Sequence, residues 1–290
     1  MEPDVIVAGT DGSEKSLCAV EWAAREAVAR GAALSIVAVP ALPPRMAWQR
    51  TPAGTPDTVA RTMVRSYERA LTTAAGRAAE IEPGLAIRTA LLPGPPAHAL
   101  CEAGERASML VVGSRGGGGF AALVLGSVSR YVATHADCPV VVVRENTAEH
   151  GEVVVGVRDL DQPAAIGFAF EEAALRKARL RAVHAWEWFL PEMRLTGTER
   201  PGAAARDVTA EAGQWLAGLL SFWREKYPEV DVIEDVAHAH PARILAGFSA
   251  RADLVVLGRN TADDSHRPGT NAVTHAVLNH ANGPVAIIGE

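Results

Sequence analysis

The stretch GSRGGGGFAALVLGS, residues 113–127, decides how this chain is read. Four glycines stand in a row at 116–119, with Gly113 before them and Gly126 after. Glycine loses more conformational entropy on ordering than any other residue, so a run of four suits neither helix nor strand. Just upstream, MLVVG is a short continuous apolar run, the pattern of a strand buried on both faces. Just downstream, SVSRYVATHAD begins on a good capping region and reads as a helix. A Gly-rich loop between such a strand and such a helix sits at the carboxyl edge of an open parallel sheet, where these sheets take ligands.

Working outward, the same alternation fills the first half of the chain. VIVAG reads as a strand, and EKSLCAVEWAAREAVARG as a helix ending at Gly31. Residues 34–40 are a second strand, and a helical pattern runs from about Asp57 to Glu80. LAIRTALLPG is a third strand, PPAHALCEAGERA a helix, and PVVVVR a fifth strand after the Gly-rich loop and its helix. Strands separated by helices of this length imply parallel βαβ units.

The pattern then restarts. EVVVGVRD echoes DVIVAGTD, ADLVVLGR echoes SMLVVGSR, and NGPVAIIGE echoes DCPVVVVRE. One offset, 145 residues, separates Gly113 from Gly258 and Pro139 from Pro284. Two copies of one α/β unit, 1–147 and 151–290, account for the 290 residues.

Composition narrows the function. With 48% hydrophobic and 21% charged residues the chain can build packed cores. A formal net charge of −6 argues against nucleic-acid and anionic-membrane partners, which need a basic face. The start MEPDVIVAGTDGS has no basic segment followed by a long apolar one, and no apolar run approaches membrane-spanning length. Cys18, Cys101 and Cys138 form no CxxC pair. A reduced, cytoplasmic protein is expected.

The Gly-rich loop has two readings. Bare backbone lets N–H groups turn toward an anion, and the helix start at Ser127 adds free N–H groups and partial positive charge. Ser127 and Ser129 add hydroxyls. Alternatively the loop is plain surface and Ser127 an ordinary cap. No GxxxxGK[ST] occurs, and no GxGxxG follows the first strand, so neither common phosphate fingerprint applies. GTDGS, residues 9–13, ends the first strand at the same edge. Asp11 there is either an acceptor for a ribose hydroxyl or a helix cap.

The spacing Gly113-x2-Gly116-x9-Gly126-Ser127, with GTDGS and DCPVVVVR, resembles the ATP-binding signature of the universal stress protein family. The resemblance covers essentially the whole chain as two tandem domains. It implies Rossmann-like, adenine-nucleotide α-hydrolase-like α/β domains, each a five-stranded parallel sheet of order 3-2-1-4-5 flanked by helices. It implies ATP, with Mg²⁺ as a companion, at the carboxyl edge of the first domain. By that resemblance Asp11 meets adenine or ribose with Thr10 beside it, and Val39 touches adenine. Gly113, Arg115 and Gly116 line ribose and phosphates, and Gly126, Ser127, Val128 and Ser129 hold phosphates. It also implies pairing of the last strands, near Val140 and Val285, within one chain or across a homodimer, and a regulatory protein partner of unstated identity.

The second half departs from the signature. Gly258 keeps the first glycine, but Thr261, Asn271 and Ala272 stand where Gly116, Gly126 and Ser127 were. The glycine run is replaced by a segment carrying Asp263 and Asp264, and Arg158 falls opposite Asp11. The second domain is expected to bind ATP poorly or not at all, with a lesser alternative that Arg158 attracts an anion. His184, His238, His240 and His266 gather near the same edge without a metal-ligand spacing, so no metal site is assigned. Trp186, Trp188, Trp215 and Trp223 fit packing, and Cys101 fits a buried small hydrophobe.

Three functions remain on the table. The leading one is a nucleotide-dependent stress or regulatory binding protein with one site, slow ATP hydrolysis being left open. The second is an interaction or scaffold protein that binds no nucleotide. The third is an adenylating α/β enzyme, for which no catalytic constellation or extra segment is visible.

Overall fold

The structure is a computed structural model that describes residues 4–40, 58–115, 125–144, 148–158, 162–186, 201–259 and 270–289. Its chain divides into two compact units, Met1–Thr147 and Ala148–Glu290.

In the first unit the described elements are β1 (Val5–Gly9), α1 (Glu14–Arg30), β2 (Ala33–Ala38), α2 (Thr58–Ile81) and β3 (Ile87–Leu91). They are followed by α3 (Pro96–Gly104), β4 (Met109–Gly113), α4 (Ser127–His135) and β5 (Val140–Val143). Every strand pair is parallel. β3 lies on β2, β2 on β1, β1 on β4 and β4 on β5, which is the order 3-2-1-4-5. The reversal falls between β1 and β4, and Gly9 aligns with Val112 there. The ends of β1 and β4 therefore lie side by side at the carboxyl edge.

Burial explains the pattern in the sequence. All five residues of β4 and all four of β5 are buried, because helices cover both faces. Each buried Val, Leu or Ile contributes about 1.5–3 kcal/mol relative to exposure. α1 packs on the sheet through Ala19, Ala23, Ala24 and Ala27, small residues that allow close approach. It starts at Ser13, whose hydroxyl accepts from the Ser16 N–H, and stops at Gly31 with φ 65°. Only glycine adopts that left-handed conformation without cost, so the Gly31 stop was legible beforehand.

The second unit repeats the plan with β6 (Glu152–Gly156), α5 (Pro163–Arg176), β7 (Arg179–Trp186), α6 (Pro201–Lys226), β8 (Val232–His238), α7 (Pro241–Phe248), β9 (Leu254–Gly258), α8 (Thr270–His280) and β10 (Val285–Ile288). β8 lies on β7, β7 on β6, β6 on β9 and β9 on β10, again all parallel. Here α5 stops at Lys177, a non-glycine residue with φ 52°. The Trp223 ring packs where a side chain on Gly167 would stand, and it stacks with Phe170 at 6.1 Å. Trp215 packs against the His184 ring at 5.1 Å and is otherwise exposed. Cys101 is half-buried; the buried cysteine is Cys138, against Gly104.

Candidate functional site

At the end of β1 the chain turns through Thr10, Asp11 and Gly12 into α1. Thr10 is buried and its N–H donates to the Val37 carbonyl, which fixes the turn against β2. Its Oγ1 lies 3.0 Å from Ser16 Oγ and accepts from the Gly12 N–H at 3.2 Å. Asp11 is exposed. Its Oδ1 accepts from the Ser13 N–H at 3.0 Å and the Ser13 hydroxyl at 2.6 Å. The Asp11 N–H donates to Ser16 Oγ. Ser16, which the sequence reading passed over, is thus the buried hub of the turn. Its signal was its place in the first turn of α1, where a hydroxyl meets the backbone that a loop leaves unpaired.

β4 ends beside this turn. A Cβ on Gly113 would stand 2.7 Å from the Lys15 carbonyl oxygen and 2.9 Å from its carbon. Glycine is required at 113 by the backbone of α1, whatever the ligand. The Gly113 carbonyl accepts from the buried Ser129 hydroxyl at 2.6 Å, which ties α4 to the strand end. The Ser114 N–H donates to the Val143 carbonyl, and the Gly126 N–H donates to the Ser114 carbonyl, both at 2.9 Å. Loop, β5 and helix start are therefore held together.

Gly126 is a different case. Its φ of −62° and ψ of 149° suit any residue. A Cβ there would meet, among the described residues, Arg115 Cα and the Ser114 oxygen at 3.4 Å and Ser129 Oγ at 3.6 Å, all ordinary contacts. Neither conformation nor described packing demands a glycine. Just after it, α4's own bonding begins with the Arg130 N–H donating to the Gly126 carbonyl. The N–H groups of Ser127, Val128 and Ser129 precede that ladder and carry the positive end of the helix dipole. Ser127 is exposed and Val128 half-buried. Its N-cap residue, Gly126, has no side chain with which to cap this end.

Of the ten predicted site residues, Thr10, Asp11, Gly113, Arg115, Gly126, Ser127, Val128 and Ser129 gather at one edge, around the ends of β1 and β4 and the start of α4. Val39 is buried one residue past the end of β2, the strand next to β1. Gly116 lies outside the described residues. Arg144, one residue past β5, was not singled out. Burial pushes its guanidinium below the ordinary value, and the nearby Arg115 charge pushes the same way.

The second unit packs the end of β9 differently. The space over Gly258 is taken by Gln162: a Cβ on Gly258 would stand 2.5 Å from the nearer terminal carboxamide atom of Gln162 and 2.7 Å from its Cδ. Gln162 is buried, and with its oxygen turned to Arg158 it accepts from Arg158 Nη2 at 2.9 Å and Nε at 3.2 Å. α8 begins at Thr270, so Asn271 falls within the helix, whereas its counterpart Gly126 lies just before one. Arg158, for which attracting an anion was only the lesser alternative, faces Gln162 of its own unit. Thr261, Asp263, Asp264, His266 and Trp188 lie outside the described residues.

His184 is buried inside β7, two residues before its end, and its Nδ1 donates to the Val157 carbonyl at 3.1 Å. His238 ends β8 against the Trp186 ring, and His240 precedes α7. Among the described residues no three His, Cys, Asp or Glu side chains gather as a metal site. No described helix is long and apolar enough to cross a membrane.

A two-unit α/β protein with a glycine-lined edge in one unit defines the class, and comparison with known proteins names the family. The family model described as Universal stress protein family matches residues 3–144 and again 150–289, so the chain belongs to that family as a tandem-domain member. It is similar to the universal stress protein Rv2005c of Mycobacterium tuberculosis, at 32% identity over 97% of this chain and 96% of that one. The structure is similar to a universal stress protein from Archaeoglobus fulgidus DSM 4304, with a TM-score of 0.69 at 16% identity, covering 100% and 99% of the two chains. A universal stress protein solved in complex with cAMP is 28% identical over 50% of this chain, with a TM-score of 0.40.

Proposed function

We propose that this chain is a nucleotide-dependent regulatory protein that binds ATP at one site, in its first unit. The observation that supports this is Gly126. The fold does not need a glycine there, yet a side chain would stand over the open N–H groups of α4 and beside Arg115. A bound phosphate needs that space and those donors. Asp11 supplies the acceptor for ribose and Val39 the apolar contact for adenine. The described phosphate side offers N–H groups and cations and no carboxylate, so Mg²⁺ enters as the nucleotide's own counter-ion. The second unit's edge is occupied by Gln162 and Arg158 and serves a structural role. Cys18, Cys101 and Cys138 form no disulfide, which supports a reducing, cytoplasmic setting. Occupancy of the site sets the partner choice of the protein, alone or as a homodimer.

The test is calorimetric titration of ATP, with Mg²⁺, into nucleotide-stripped full-length chain. A stoichiometry near one per chain is expected. A value near two overturns the single-site reading. No heat with ATP, AMP or cAMP removes nucleotide binding and leaves the interaction-protein reading.

A further inference from the structure

Among the described residues, the two exposed large aromatic side chains stand on one helix, α6: Trp215 is 36% exposed and Phe222 64%. Two helical turns separate them, and Gly218 lies between them on the same face. Exposed Glu211 and Lys226 continue that stripe at its two ends, with Leu219 beside it, while Leu216 and Leu220 turn to the core. Both rings are held in place: Trp215 lies against His184, and Phe222 meets Trp223 edge-on at 5.3 Å. Aromatic side chains anchored in this way lose little freedom on binding, which suits them to an interface. A Cβ on Gly218 would meet nothing within 4 Å, so no contact within the chain asks for glycine there. Glycine weakens a helix interior relative to alanine, and on an open face it lets another backbone approach.

The fold does not dictate this stripe. The ends of α2 at Ile81 and α6 at Lys226 keep the 145-residue offset, as do Ile87 and Val232 in the strands that follow. By that offset Ser66, Ala70, Thr73 and Arg77 stand for Glu211, Trp215, Gly218 and Phe222. Ala70 lies close to Gly12, and Arg77 bonds to Glu14 and Glu21 of α1. In the first unit, then, the same face is small or polar and tied to its own unit. In the second it is aromatic and open.

We infer that this face of α6 is an interface for a second copy of the chain, with the two α6 helices antiparallel across a two-fold axis between Gly218 and Leu219. That register sets each Trp215 against the second copy's Phe222, and each Gly218 against its Leu219. It also sets each Glu211 against the second copy's Lys226, so that every charge at the ends of the stripe meets its opposite, twice by symmetry. A parallel pairing would set Glu211 on Glu211 and Lys226 on Lys226. The aromatic pair and the charge pair thus select one register independently, and the helix tolerates close approach at its centre, where glycine stands. One helix pair buries less than a standard interface, so the dimer is a weak one. None of this depends on the nucleotide reading.

The experiment is sedimentation equilibrium of the full-length chain at low salt, from about 1 to 100 μM, a range that brackets a micromolar dissociation constant. Wild type is expected to dimerise in that range. Phe222→Asp, at an exposed position that leaves folding intact, is expected to weaken the dimer about 30-fold or more. Gly218→Gln is expected to weaken it as well, without lowering the melting temperature of the dissociated chain. Glu211→Lys and Lys226→Glu are each expected to weaken it about tenfold, and the double variant to return to within about threefold of wild type. A wild-type chain that stays monomeric throughout overturns the interface. Self-association that Phe222→Asp leaves unchanged overturns it too, because it then runs through another surface. A double charge variant as weak as either single one overturns the antiparallel register, and the proposed interface with it.

Discussion

Gly113 and Gly126 belong to one signature but are glycine for different reasons, and substituting each separates them. Gly113→Ala places a Cβ 2.7 Å from the Lys15 carbonyl oxygen, where ordinary contact begins near 3.4 Å. The obstacle is helix backbone, so β4 or the first turn of α1 must move by several tenths of an ångström. Overpacking of this kind costs about 1–3 kcal/mol. For a unit of this size that is roughly 4–12 °C in melting temperature, at about 4 °C per kcal/mol. Gly126→Ala meets only ordinary contacts and keeps its φ, so its cost is the poorer capping of alanine, below about 1 kcal/mol. Its effect falls on the ligand. The new methyl covers the α4 N–H groups and removes one or more charge-assisted hydrogen bonds, worth about 1.5–3 kcal/mol each. That is about 10- to 100-fold in ATP affinity. Thermal unfolding and ATP titration on both variants read the two effects independently. If Gly126→Ala binds ATP within twofold of wild type, the ligand explanation of that glycine is wrong. If Gly113→Ala melts with wild type, the contact argument is wrong.

Asp11→Ala should lower ATP affinity about tenfold through the lost ribose acceptor, whereas Ser13→Ala, which removes only the cap partner, should leave it within about threefold; calorimetry on both decides. Arg181 donates to buried Glu152 at 2.8 and 3.2 Å and to Asp235 at 3.2 Å, and the Glu152 hydrogen bond, foremost, raises its pKa. Arg181→Met should destabilise by about 2–4 kcal/mol because Glu152 is left buried with only Arg179 at 3.4 Å, and adding Glu152→Gln should recover most of that in urea unfolding. Lys177→Gly should raise the melting temperature, since it relieves a left-handed non-glycine residue worth about 1 kcal/mol.

The fold was legible because its signals are local and redundant. Two-sided burial writes β4 and β5 as unbroken apolar runs, Gly31 announces its own left-handed stop, and the restart of the pattern doubles every observation. The strand order needed more: parallel βαβ units alone do not say which strand lies beside which, and the order 3-2-1-4-5 came from family resemblance. The place of the candidate site was legible where backbone constraints show as composition, as at Gly113. It was illegible where a common residue gains its role from a neighbour distant in sequence. Ser16 looks like any polar residue in an amphipathic helix until it is seen bonded to Thr10 and the Asp11 N–H.

The two units keep one fold while the packing at the carboxyl edge differs. The register of β6 on β9 and the left-handed cap of α5 reproduce the first unit, because burial and strand pairing constrain them. Among the described residues, what changed lies at the carboxyl edge, where helix backbone crowds Gly113 in the first unit and the Gln162 side chain crowds Gly258 in the second. Gly258 persists in the second unit although no phosphate reading applies to it. Its persistence follows from Gln162, whose buried carboxamide now occupies the space beside it. Gly258→Ala therefore presses on the end of a side chain, whereas Gly113→Ala presses on a helix backbone. The first can be relieved by a rotamer change of about 0.5–1.5 kcal/mol and the second cannot. The same glycine, at the same place in the same fold, thus has its strictest requirement only in the unit where α1 crowds the strand end, and that crowding holds the β1 turn against the end of β4.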